Sequence, residues 1–220
     1  MALQRLFVLQ KLFVLFILVF VSAFFLGGCF GASMDISIYS NGSGKIVLEY
    51  KVSEMMESLG RLDGNEKWQT IPVGKADFER MVSRIPGLSL KSVAASQQSN
   101  TLVTKAELAF DNIEALVVLL NGGANAASFS TENGQNRLRL TLAEPEKQAL
   151  SGDMLSLLKM ISSPYEISCS LSVPKEANLT FNPGDIPFTQ LTAKGRKVSF
   201  SIGTGEILEL KDGLVVDIKW

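Results

Sequence analysis

Apolar and polar residues alternate with period two around a turn near residue 41. Residues 35–40 and residues 45–52 both alternate, and the second run places Ile46, Leu48 and Tyr50 on one face. The segment Asn41-Gly42-Ser43-Gly44 lies between them. An Asn-Gly turn between two alternating runs is a strong signal for a β-hairpin, so the sequence predicts one here.

Two further pairs of alternating runs predict two more hairpins. Strands are expected at residues 88–95 and 102–110, and again at residues 126–130 and 137–142. Five later runs also predict strands, with turns at Gly203-Thr204-Gly205 and Lys211-Asp212-Gly213. These runs cover residues 166–173, 178–182, 197–202, 206–210 and 214–220.

Helical spacing appears between the predicted strands. Ala76 to Ile85 carries apolar residues at i, i+3, i+4 and i+7, which predicts a helix. A second helix is expected at Ile113 to Leu120, after a cap at Asp111 or Asn112. A third and longer helix is expected at about 146–161. A short helix at residues 54–59 and a loop at residues 60–73 complete the pattern.

A hairpin followed by a helix therefore occurs three times before the strand-rich C-terminal part. This order predicts an α+β fold in which antiparallel hairpins alternate with helices that pack on one face of the sheet. Without a typical linker, we expect one folded unit at residues 35–220, preceded by a short tether at residues 29–34. A split near Pro145 is the alternative.

The first 28 residues have the form of a signal peptide. Arg5 and Lys11 are the basic residues, and Leu12 to Leu26 is apolar apart from Ser22. The run ends in Leu26-Gly27-Gly28-Cys29, which resembles the lipobox of bacterial lipoproteins. That resemblance implies cleavage before Cys29 and attachment of a diacylglyceryl group, with acyl chains such as palmitate, to its thiol. Two acyl chains make a stable membrane anchor.

An uncleaved transmembrane helix is the other interpretation of this segment. Leu6 to Leu26 is 21 residues long, and about 20 apolar residues suffice to span a bilayer. Gln10, Lys11 and Ser22 interrupt the run. The Gly-Gly-Cys ending favours the lipoprotein interpretation, because a spanning helix needs no such ending.

The residues after the lipobox are similar to the opening of the LppM-type lipoprotein domain. The similarity lies in residues 35–38, 41–44 and 45–48, and in the later segment 110–116, where a strand runs directly into a helix. It implies an envelope lipoprotein with an α/β ectodomain that contacts lipid or glycolipid. No ligand-binding residue of this chain can be assigned from the similarity. The chain differs from the group in that it ends on a predicted strand at Trp220.

The charge balance and the two cysteines bear on possible partners and on reactive side chains. Without Arg5 and Lys11, 19 basic residues face 22 acidic ones, a net charge of −3, and no basic patch suggests nucleic acid as a partner. Cys169 has no partner if Cys29 is acylated. It alternates with apolar residues, which predicts a buried, inert side chain. Trp220 is expected to pack on the core.

The chain has no histidine, which removes histidine-dependent nucleophiles and metal sites. Gly203-Thr204-Gly205 lacks the remainder of a phosphate-binding motif and is interpreted as a turn. Asp63 and Glu66 share a loop with Trp68, a combination that occurs at sugar sites and also in plain solvated loops. We expect no catalytic residue, metal site or cofactor.

The sequence thus predicts a membrane-anchored lipoprotein of the cell envelope with a non-enzymatic binding or interaction ectodomain. A carrier of hydrophobic ligands is one version of this function. The alternatives are an envelope hydrolase that uses carboxylates or a Ser-Lys pair, and a structural tether that docks on another envelope protein. Phe30 is not the aspartate that retains lipoproteins at the inner membrane in some bacteria, which favours the outer membrane where such sorting exists.

Overall fold

The computed structural model describes residues 30–53, 72, 74–98, 101–122, 126–145, 152–186 and 188–220. These residues form eleven strands and four helices. The strands are β1 Phe30–Ile38, β2 Gly44–Ser53, β3 Leu88–Gln98, β4 Thr101–Phe110, β5 Ala127–Glu132, β6 Gln135–Ala143, β7 Glu166–Ser172, β8 Asn178–Asn182, β9 Gln190–Lys194, β10 Lys197–Gly203 and β11 Leu214–Lys219. The helices are α1 Lys75–Ser83, α2 Ile113–Asn121, α3 Gly152–Ser162 and α4 Thr204–Ile207.

The predicted α+β fold is confirmed, with the strands arranged in two sheets. One sheet has seven strands in the order β3-β4-β2-β1-β7-β10-β9, and the other has four in the order β5-β6-β11-β8. The three predicted hairpins are present as β1–β2, β3–β4 and β5–β6. Within the described strands, β1 and β7 pair in parallel, and the other ladders are antiparallel.

The seven-stranded sheet buries one face and exposes the other. Ile36, Ile46 and Leu108 lie on the buried face with no exposed surface, whereas Asp35 and Lys105, on the opposite face, are exposed. This alternation produced the strand predictions, because side chains point to opposite faces along a strand.

Helices and the second sheet cover the buried face. Phe78 of α1 is fully buried, and its ring lies 6.5 Å from that of Tyr50 on β2. The two sheets meet through three phenylalanine rings, where Phe188 lies 4.4 Å from Phe181 of β8 and 6.0 Å from Phe200 of β10. Buried residues of both sheets therefore belong to one core.

Local signals fixed the ends of α2. Asn112 caps it, because its Oδ1 accepts a hydrogen bond from the Ala115 backbone N at 2.9 Å. Gly122, with a φ of 50°, ends the helix in the left-handed conformation that glycine readily adopts. Asp111, the other residue predicted as a cap, makes no such bond among those that the structure describes.

The prediction for the residues after Cys29 needs correction. The sequence pattern predicts a tether at residues 29–34, but β1 begins at Phe30 and pairs with β2 from its first residue. Small and polar residues such as Gly31 and Ser33 weaken the alternation, so the sequence signal starts later than the strand. Phe30 is part of the strand because it pairs with Val52 of β2, a residue distant in the chain.

The strand predicted at residues 206–210 is wrong, as is the turn at Gly203-Thr204-Gly205. Thr204–Ile207 is a short helix that packs against α3, and Lys159 of α3 contacts Glu209 at 2.6 Å. Tertiary contacts override the weak alternation here. The strand β9 was not predicted, although Leu191 and Ala193 alternate with polar residues. The run has only five residues, and all five are exposed in the structure.

The predictions that concern residues 54–71 lie outside the described residues. The same holds for the first part of the helix expected at about 146–161, which the structure describes from Gly152 onward.

Candidate functional site

The residues predicted for lipid attachment lie outside the described part of the chain. These are Leu26, Gly27, Gly28 and Cys29. The loop carboxylates Asp63 and Glu66 and the neighbouring Trp68 lie outside it as well. Their assignments stay predictions.

An ion-pair cluster occupies the outer face of the four-stranded sheet. Asp217 of β11 lies opposite Arg139 of β6 in the ladder, and Arg137 is two residues away on the same face. Arg137 donates to Asp217 from Nε at 2.8 Å and from Nη2 at 2.6 Å. Arg139 donates from the same two nitrogens at 3.0 and 3.1 Å. Both guanidinium groups thus clamp one carboxylate with paired bonds.

The two arginines keep Asp217 ionised. Burial acts to raise the pKa of the carboxyl, but the hydrogen bonds from Arg137 and Arg139 outweigh burial and hold this pKa well below its usual range. The hydrogen bond to Asp217 raises the pKa of Arg137. A carboxylate whose pKa is this low is a poor general base at neutral pH, because catalytic bases work best when their pKa is near the operating pH.

The cluster of Arg137, Arg139 and Asp217 has a net charge of +1, and the same face also carries Lys219, opposite Arg137 in the ladder, and Glu132, which acts electrostatically on Arg137. The Asp217 side chain is 13% exposed, whereas those of Arg137 and Arg139 are 31% and 45% exposed. A small depression of about 160 Å³ beside the arginines is lined by Ser128 and Ser130 of β5. Hydroxyls next to accessible guanidinium groups are suited to contact an anionic group.

A larger depression lies between α1 and β3. Its volume is about 710 Å³, which is within the range of small-molecule sites. Its lining mixes apolar side chains with charged and polar ones, namely Lys75, Glu79, Val82, Ser83, Leu88, Ser89, Leu90, Lys91, Ser92 and Val93. Since Lys75, Glu79 and Lys91 are exposed, this is a surface groove rather than a cavity inside the core.

Cys169 and Trp220 are placed as predicted. The Cys169 thiol is free and 3% exposed, and burial, with a smaller contribution from Asp35, raises its pKa to about 12. Such a thiol is unreactive, because the thiolate is the nucleophile. Trp220 is 5% exposed, and its ring lies 5.9 Å from that of Phe129.

Within the described ranges, no group of three or more cysteine, aspartate or glutamate side chains is arranged to hold a metal ion. Among the same residues, no helix has the length and apolar character needed to cross a bilayer.

The arginine cluster was not predicted. Alternation places Arg139 on the outer face of its strand, but Arg137 and Asp217 are 80 residues apart and meet only because β6 pairs with β11. The signal in the sequence was weak, because it consisted of one acidic residue, Asp217, in the last strand and two arginines at alternate positions of β6.

Comparison with known proteins finds similarity to solved structures. No protein-family model matches the chain, and no curated protein matches it. The folded domain of LppM from Mycobacterium tuberculosis, solved by NMR, is similar with a TM-score of 0.46 and 11% identity over 87% of this chain and 88% of that domain. The sequence pattern resembles the LppM-type lipoprotein domain as well. A structural similarity of this size does not indicate a shared function.

Proposed function

We propose that this protein is a lipoprotein of the bacterial cell envelope, anchored through Cys29, with an ectodomain that acts as a non-enzymatic binding module. The observation that carries the proposal is the segment Leu26-Gly27-Gly28-Cys29 at the end of an apolar run, followed directly by a folded strand at Phe30. A signal peptide delivers the domain across the membrane, and two acyl chains hold it there.

The chain contains a matched control for the lipid attachment, because it has two cysteines. Cells that express the protein are grown with a radiolabelled or alkyne-tagged fatty acid, and the immunoprecipitated protein is examined for label and gel mobility. Cys29→Ala is expected to abolish the label and leave the longer precursor. Cys169→Ala is expected to retain both the label and the mature size. Label that persists in Cys29→Ala contradicts the proposal.

The outer face of the four-stranded sheet is the proposed contact surface of the module. Arg137 and Arg139 share one carboxylate, so this face retains a positive charge that water reaches. The partner it fits carries an anionic group, such as a carboxylate or a phosphate, that accepts paired hydrogen bonds from guanidinium. The same arginines make an enzyme less suitable here, because they hold Asp217 in its charged, weakly basic form.

Site-specific photocrosslinking in cells tests this surface. A photoreactive amino acid at Ser128, beside the arginines, is expected to yield a crosslinked product that Arg139→Glu abolishes. The same probe at Lys105, which is exposed on the outer face of the other sheet, serves as the control. Equal crosslinking from both positions, or none from Ser128, contradicts the proposed surface.

The carrier version of this function would use the groove between α1 and β3. A photoactivatable phospholipid added to cells would then crosslink within residues 88–93, as mapped by mass spectrometry of the digested protein. Val82→Trp fills the groove and is expected to prevent that crosslink, whereas Val118→Trp, at an exposed position of α2, leaves it unchanged. Absence of lipid crosslinks in the unmodified protein rejects the carrier.

A further inference from the structure

The first strand of the domain leaves almost no chain between the predicted lipid and the sheet. β1 begins at Phe30, the residue after Cys29, and Phe30 is already paired with Val52 of β2. Two residues later, Ala32 is paired with Tyr50 on one side and with Ile167 of β7 on the other. The strand that follows the anchor is therefore an inner strand of the seven-stranded sheet.

Close packing also fixes the start of β1 laterally. Gly31 is buried, and a Cβ atom at this position would lie 3.4 Å from the backbone O of Glu166 and 3.4 Å from Cδ1 of Tyr165. The chain thus passes against the beginning of β7 before it leaves the sheet. A segment held by a ladder on one side and by this contact on the other does not act as a flexible linker.

We infer that the end of the seven-stranded sheet at which β1 begins rests on the bilayer surface and gives the ectodomain one fixed orientation. This inference rests on the proposed anchoring at Cys29. An anchor attached directly to an inner strand holds that end of the sheet against the lipid headgroups, because no flexible residues separate them. The opposite end is about 26 Å farther away, given that a strand rises about 3.3 Å per residue.

The ladders define which residues share the bilayer end, called here the proximal end. Antiparallel pairing places the end of β2, the beginning of β4 and the end of β3 there, and β7, β10 and β9 contribute their corresponding ends. The strand-terminal residues described at this end are Phe30, Ser53, Gln98, Thr101, Glu166, Gln190 and Gly203. Glu166 is the charged residue among them, and the exposed Lys51, opposite Gly31 in the ladder, adds one positive charge nearby.

The opposite, distal end has a different character. It holds the turn at residues 39–43 and the described basic residues Lys45, Lys175, Lys194, Arg196 and Lys197, which outnumber the acidic Asp111 and Glu176 there. If electrostatic attraction alone set the orientation on an anionic membrane, the basic distal end would face the lipid. The covalent anchor opposes that arrangement, so the two causes predict opposite orientations.

Fluorescence quenching by lipids measures the orientation on the full-length lipidated protein. Single cysteines for a thiol-reactive dye are introduced as Gln98→Cys and Gln190→Cys at the proximal end and as Ser40→Cys and Lys194→Cys at the distal end. The buried Cys169 leaves little background. The labelled proteins are reconstituted into vesicles of phosphatidylcholine and phosphatidylglycerol that contain a headgroup spin-labelled lipid.

We expect loss of fluorescence at residues 98 and 190 and unchanged fluorescence at residues 40 and 194, at both low and high salt. Positions 190 and 194 lie on the same strand, so their comparison controls for the local environment of the dye. Insertion of a Gly-Ser segment of about twelve residues between Cys29 and Phe30, about 20 Å in r.m.s. length, supplies the matched control. It is expected to remove the difference between the two ends while the protein still floats with the vesicles.

The outcomes separate this inference from the function it rests on. Protein that floats with the vesicles but shows equal quenching at both ends, or stronger quenching at residues 40 and 194, overturns the fixed orientation and leaves the lipid anchor intact. Protein that does not float and carries a free thiol at Cys29 overturns the anchor and the orientation together.

Discussion

Asp217 and Arg137 form a two-point ion pair across neighbouring strands, with Nε to Oδ1 at 2.8 Å and Nη2 to Oδ2 at 2.6 Å. The bond joins β11 to β6, which are far apart in the chain. Because Arg139 binds the same carboxylate, removal of Asp217 leaves two guanidinium groups side by side without the carboxylate that they share. The ion pair therefore holds β11 against β6 and also neutralises part of the positive charge on this face of the sheet.

Asp217→Asn is expected to destabilise the protein by about 1–3 kcal/mol at neutral pH, as for a lost hydrogen bond to a charged group. The folded-state pKa of Asp217 is lowered, so its stabilisation is complete above the ordinary pKa of about 3.9 and is lost as the pH falls toward the folded value. Urea unfolding at a series of pH values should show the two proteins converging below about pH 4.

The exposed pair of Lys159 and Glu209 provides a control for this experiment. Its side chains are 36% and 45% exposed, so Glu209→Gln should change stability much less than Asp217→Asn does. An Asp217→Asn protein as stable as the unmodified one at neutral pH would show that the cluster contributes nothing to the fold.

Cys169 should be inert toward thiol reagents in the folded protein. Burial raises its pKa to about 12, so the reactive thiolate is scarce at neutral pH, and the side chain is 3% exposed. Maleimide labelling followed by mass spectrometry is expected to show no adduct in native buffer and one adduct at Cys169 in denaturant. Rapid native labelling would contradict the buried placement.

The sequence predicted those parts of the fold that depend on neighbours in the chain. The turn at Asn41 is one example, since its Oδ1 accepts a hydrogen bond from the Ser43 backbone N at 3.1 Å. The cap at Asn112 is another, because the donor is three residues away. Alternation of burial along β4 and β6 is also a local property, and it gave those strands to within a few residues.

Features that depend on distant residues could not be obtained in this way. The division into two sheets follows from the parallel pairing of β1 with β7 and from the position of β11 between β6 and β8. The pairing of β11 with β6 brings Asp217 next to Arg137. Because this pairing could not be predicted, the candidate contact surface was not predicted either. The start of β1 at Phe30 depends on its pairing with Val52, so the local pattern predicts a tether where the structure has a strand.

Asn112→Ala should destabilise the protein by about 1 kcal/mol, because it leaves a backbone N–H at the start of α2 without its side-chain acceptor. Asn112→Asp retains an acceptor oxygen and is expected to restore most of the stability. Asp111→Ala is the matched control, since the sequence marked either residue as the cap and the structure assigns the role to Asn112. Thermal unfolding followed by circular dichroism measures all three. Equal losses for Asp111→Ala and Asn112→Ala would show that the hydrogen bond to Ala115 is not the cause.

Gly44 occupies a position where the chain has no room for a side chain. A Cβ atom there would lie 2.0 Å from the backbone O of Ser37 and 2.4 Å from the Cζ atom of Phe110, which is 1% exposed. Gly44→Ala therefore forces the β1–β2 hairpin away from the core and should cost about 3 kcal/mol or more. Gly184→Ala is the control, because nothing lies within 4 Å of a Cβ at that position. Urea unfolding should show a large loss for Gly44→Ala and almost none for Gly184→Ala, and similar midpoints for the two variants would contradict the packing of this hairpin on Phe110.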